Sequence, residues 1–140
     1  MAARDIVIAM RRVRLSRGGT ARVLTAKIGV PRRVGTGEWA CPYWITGFGD
    51  GATFRARGVD SVQALVLALE GVRIELKKAG GRISWVGERG TAGFPRYVPD
   101  YYGQVFSERL EGMIDRELLR FARAAEARHK RKPRSQRDKS

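Results

Sequence analysis

Residues 6–30, IVIAMRRVRLSRGGTARVLTAKIGV, carry the period-two alternation of a β-hairpin. Ile6 to Leu15 and Ala21 to Val30 are the two expected strands, joined by Ser16-Arg17-Gly18-Gly19-Thr20. The paired glycines supply the positive φ that a hairpin turn needs. In the second strand Leu24, Ala26, Ile28 and Val30 alternate with Val23, Thr25 and Lys27. In the first, Ile6, Ile8 and Met10 share one parity, whereas Val13 and Leu15 have the other. One extra residue near Arg11-Arg12 restores a single apolar face, so a bulge is expected there. Arg12, Arg14 and Lys27 then point outward, with Arg17 at the turn.

After a basic loop from Pro31 to Gly37, Trp39 to Phe48 reads as a third strand, with Pro42 favouring an edge or the strand's beginning. A glycine-rich turn, Gly47 to Gly51, leads to a short fourth strand, Ala52 to Arg57. Asp60 or Ser61 caps a helix that runs to about Ala79, on the spacing of Val62, Leu65, Val66, Leu69, Val72 and Leu76. Gly71 in its middle costs about 1 kcal/mol relative to Ala, which points to close approach of the helix to the sheet. Arg82 to Val86 is a fifth strand, Gly87 to Pro99 a loop, and a last helix opens at Asp100 or Tyr101. Its apolar stripe is Tyr102, Phe106, Leu110, Met113, Ile114, Leu118 and Phe121. The order β-β-β-β-α-β-α predicts an α+β fold: an antiparallel sheet of about five strands with two helices packed on one face. Residues 1–121 are expected as a single domain and 122–140 as a basic, largely disordered tail.

The 140 residues hold 28 Lys+Arg against 14 Asp+Glu, a formal net charge of +14. That charge is uneven: residues 1–37 carry nine basic and one acidic side chain, residues 38–119 ten and eleven, residues 120–140 nine and two. The middle is neutral and the two ends are cationic. Arg outnumbers Lys 22 to 6, and the guanidinium fork suits phosphate. No stretch approaches the roughly 18–20 apolar residues of a membrane helix, and no signal peptide is read at the N-terminus. A single cysteine excludes an internal disulfide and fits a reducing, cytoplasmic setting.

Three segments, CPYWITGFG at 41–49, GVDSVQALVLALEGVRIEL at 58–76 and GFPRYVP at 93–99, carry a resemblance. Over about residues 5–118 the chain resembles a bacterial family classed only as a domain of unknown function. The resemblance implies one compact bacterial domain, and implies no activity, cofactor or catalytic residue.

The chemistry-bearing residues point away from an enzyme. His129 lies between Arg128 and Lys130, without the positioned partner that catalysis or metal binding needs. Cys41 precedes a proline on a strand and reads as a buried structural thiol. Asp60 is explained as a cap, and Glu70 and Glu75 as helix-surface partners of Arg73 and Lys78. Gly47 to Gly51 is followed by a strand, whereas a phosphate loop is followed by a helix. No catalytic residue, cofactor or metal ligand is therefore assigned. The candidate partners are DNA or RNA, held by Arg12, Arg14, Arg17 and Lys27 on the hairpin and by Arg128, Lys130, Arg131, Lys132 and Arg134 in the tail. The alternative is a protein-interaction or accessory module acting through Trp44, Phe94 and Tyr97 of the exposed aromatics and the Gly93–Pro99 loop. The excess apolar character of the first helix and the proline-limited edge strand favour a homodimer. No membrane association is expected, since the basic tail has no apolar face beside it.

Overall fold

The computed structural model describes residues 5–131 apart from 48, 50, 87, 90 and 91, and describes 88 and 89 by their backbone. Its elements are β1 (Val7–Arg17), β2 (Thr20–Gly29), β3 (Arg32–Gly35), β4 (Glu38–Thr46), β5 (Thr53–Gly58), α1 (Ser61–Lys78), β6 (Arg82–Trp85), β7 (Glu88–Arg89) and α2 (Gln104–Arg131). This is the α+β class, with one open antiparallel sheet and two helices. Along the sheet the order is β3-β4-β2-β1-β6-β7, with β5 paired to β4. Both β2 and β5 pair with Tyr43 and Trp44, and both β3 and β5 pair with Trp39 and Ala40. So β2 and β3 share one edge of β4, interrupted at Pro31, and β5 takes the other. The sheet exceeds the expected five strands because two short ones, β3 and β7, form inside segments whose composition reads as loop.

β1 and β2 join through a two-residue turn, because Arg17 pairs with Thr20 and the ladder runs to the hairpin's end. Gly18 and Gly19 have φ of 57° and 80°, the paired positive values of a type I′ turn. The bulge lies further back than the sequence suggests: the register shifts between Val7 and Ala9, not at Arg11-Arg12. Arg11 therefore shares the inward parity of Val13 and Leu15. Its side chain is half-buried, whereas Arg12 and Arg14 are exposed.

Asp60 is the cap of α1. Its Oδ1 accepts from the Gln63 N–H at 2.8 Å, and Gln63 Oε1 accepts from the Val59 N–H at 2.7 Å. The buried line of α1 is Ala64, Ala68, Val72 and Leu76, with Leu65 and Leu69 packed beside it. Val62, expected in the stripe, is 68 % exposed. The difference has a steric cause: small residues let the helix backbone approach the sheet, and the larger side chains flank the line of contact. A Cβ on Gly58 would meet the backbone nitrogen of Ala64, and one on Gly71 would run into the Tyr43 phenol. Beneath α1 the core holds Val13, Leu15, Leu24, Ala26, Ile28, Cys41 and Ile45.

The chain divides into two units, one ending at Tyr97 and one starting at Val98, where the sequence predicts one domain to residue 121. In the second unit α2 has no buried residue. The basic segment from Ala122, expected as a largely disordered tail, is helical to Arg131. Ala122, Ala124, Ala125 and Ala127 are strong helix formers and explain the extension.

Candidate functional site

Strand alternation sends one side-chain set of the sheet toward α1 and the other away from it. The register places the away-facing set in rows. Met10, Lys27, Trp44 and Thr53 stand opposite one another across β1, β2, β4 and β5. Arg12, Thr25 and Thr46 form the next row, and Arg14 stands opposite Val23 and Ser84. The sequence-predicted cations Arg12, Arg14 and Lys27 and the aromatic Trp44 are thus brought onto one face. Met10 and Val23 there are 59 % and 60 % exposed, so the face is open. Trp44 is half-buried among its neighbours.

The cations of this face fall into two groups. Arg55 and Arg57, opposite Pro42 and Ala40, pair with Asp5 at 3.3 Å and Glu38 at 2.9 Å. Among the described residues Arg12, Arg14 and Lys27 make no ion pair. Arg17 is held elsewhere: its Nη1 donates to the Ala79 carbonyl at 3.1 Å, closing the C-terminal end of α1. Of the predicted tail residues, Arg128, Lys130 and Arg131 lie in the last turn of α2, exposed. Lys132 and Arg134, and the aromatic Phe48, lie outside the described residues.

The Gly93–Pro99 segment is tied down as far as Tyr97. Phe94 is half-buried against the core. The Arg11 guanidinium lies between two rings, 3.8 Å from the Trp85 centroid and 4.8 Å from that of Phe94, and donates to the Ala92 carbonyl at 3.1 Å. Glu70 receives two bonds from Arg73, each 2.9 Å, and one from the Tyr97 N–H at 2.9 Å. The Arg73 bond and, behind it, the Tyr97 N–H hold the Glu70 carboxyl below its ordinary range against the opposing effect of burial. Phe94 and Tyr97 thus serve packing and anchoring here, while Trp44 stays on the open face. Sequence reading missed Arg11. The available signal was parity, since Arg11 shares that of Val13 and Leu15.

Cys41 is fully buried. Its Sγ donates to the Gly29 carbonyl at 3.4 Å, and burial pushes the thiol up to about 11. A thiol so protonated is a poor nucleophile at neutral pH. No helix among the described residues is long and apolar enough to cross a membrane.

The search of curated proteins and that of solved structures each return no match. A family model, Domain of unknown function (DUF6968), matches residues 9–96. That span runs from β1 through α1 to the Phe94 anchor, and it holds both faces of the sheet while leaving the basic helix α2 outside. On this match over more than half its length, the chain belongs to the DUF6968 family.

Proposed function

We propose that this is a non-enzymatic binding domain of the bacterial cytoplasm that holds nucleic acid on the open face of its sheet. The observation that carries the reading is the group Arg12, Arg14 and Lys27, cations without an ion-pair partner among the described residues, on the same face as the half-buried Trp44, which stands opposite Lys27. Cations of this kind exchange counterions for phosphates, and an aromatic ring beside them can stack on an unpaired base. The basic last turn of α2 adds sequence-independent attraction without an aromatic to read a base. The test is binding of the full chain to mixed-sequence single-stranded DNA and RNA over a salt series. Changing Arg12, Arg14 and Lys27 together to Gln is expected to lower the slope of log K against log salt by about 2. Absence of binding by the unaltered chain near physiological salt overturns the reading.

A second reading, a protein-interaction module, is favoured by one observation on α2. Met113, Ile114, Leu118 and Phe121 of its apolar stripe are 49–65 % exposed. A second copy of this chain is the simplest partner for such a stripe.

A further inference from the structure

We propose that the cleft between the hairpin's end, the last turns of α1, β6 and the Phe94 segment binds a phosphomonoester that carries a flat apolar group. The cleft is open to solvent and has a volume of about 800 Å³, within the range of small-ligand sites. Arg17, Arg73, Lys77 and Arg82 line it, together with Ile83 and Phe94. Among the described residues no carboxylate lines it. These four cations come from β1, α1 and β6, and their mutual repulsion is relieved by an anion placed among them.

Local bonds leave the cleft's positive charge largely intact. Arg73 is matched by Glu70, but Arg17 bonds a neutral carbonyl and keeps its charge and further donors. Lys77 and Arg82 make no ion pair among the described residues. The carbonyls at the end of α1 would oppose an anion. Arg17, bonded to the Ala79 carbonyl, weakens that opposition. Phe94 and Ile83, both half-buried, supply the apolar wall for the ligand's flat part. Close backbone passage shapes the rim: a Cβ on Gly81 would stand 2.7 Å from the Ser16 carbonyl oxygen, and one on Gly93 would collide with the Trp85 ring. The site uses none of Arg12, Arg14, Lys27 and Trp44, although Arg82, opposite Ser16, also borders the open face beside Arg14; Arg17, Arg73 and Lys77 are the cations that set the cleft apart from the open-face reading.

The test is a titration of the isotope-labelled full chain, followed by amide resonances, with adenosine monophosphate, inorganic phosphate and adenosine. Adenosine monophosphate is expected to shift Lys77, Gly81, Arg82 and Gly93 saturably, inorganic phosphate to shift the same amides more weakly, and adenosine to leave them unmoved. Changing Lys77 and Arg82 together to Glu is expected to weaken the monophosphate by roughly tenfold or more, while Arg12→Gln with Lys27→Gln leaves it unchanged. Both cleft positions are exposed, and Lys77→Ala with Arg82→Gln serves as the milder pair if the charge reversals unfold the chain. A 5′-phosphorylated oligonucleotide competing better than its dephosphorylated counterpart would identify a strand end as the source of the phosphate. Equal competition leaves the free mononucleotide as the source. No saturable shift by about 10 mM monophosphate overturns the proposal. Equal binding of adenosine overturns it too, and inorganic phosphate binding as tightly as the monophosphate overturns the apolar half of the site.

Discussion

Gly71 sits in mid-helix at a position where alanine would gain about 1 kcal/mol of helix propensity. A Cβ there would overlap the Tyr43 ring, which stacks on Phe54 with centroids 5.3 Å apart and cannot swing aside freely. Overpacking of that kind costs about 1–3 kcal/mol, so Gly71→Ala is expected to destabilise the protein despite the propensity gain. A denaturant melt measures the loss, and combining it with Tyr43→Leu should recover part of it. A fully additive double variant would show that the ring is not the cause. The need for glycine was legible from the sequence, because an unexplained mid-helix glycine implies a close neighbour. The identity of that neighbour was not, because it depends on which strand passes beneath the helix. Arg11 shows the opposite case. Arg11 shares the parity of Val13 and Leu15, but that parity assigns its side only once the bulge is placed between Val7 and Ala9.

Among the elements, α1 and the 92–97 segment are joined through Glu70, which binds Arg73 on its own helix and the Tyr97 N–H across the gap. The sequence reading recovered the Arg73 pair, since three-residue spacing on a helix is a local fact. The Tyr97 bond spans 27 residues and left no trace in local pattern. Because the folded protein holds the Glu70 carboxyl below its ordinary value of 4.5, this group contributes stability above that pH. The contribution is lost as pH falls through the lower, folded value. Glu70→Gln is therefore expected to lower the melting temperature at neutral pH, with the gap to the unaltered protein narrowing as the pH falls below 4.5. A gap that stays constant as the pH falls would show that the lost packing, not the charge, matters. The apolar line of α1 was displaced from its expected course for a related reason. Periodicity locates a greasy arc, but the side of that arc that meets the sheet is chosen by where glycine and alanine permit contact.

At the scale of the whole molecule, the formal charge of +14 resolves into distinct surfaces. Arg12, Arg14 and Lys27 lie on the open face, Arg17, Arg73 and Lys77 line the cleft, Arg82 borders both, and the last turn of α2 is basic. The middle of the chain is neutral in sum, yet it supplies three of the cleft's four cations. The exposed stripe of α2 gives the self-association reading its test. Light scattering of the full chain at micromolar concentration is expected to give a dimer mass, and Met113→Glu with Leu118→Glu a monomer mass. A monomer before substitution refutes that reading. The sequence by itself determined the hairpin with its glycine turn, the capped start of α1 and the α+β order. Each rests on alternation, helical spacing or backbone restriction within a few residues. Only the tertiary structure decided which cations meet, which side Arg11 takes and where a cavity opens, because those follow from strand register and from contacts between segments far apart in the chain.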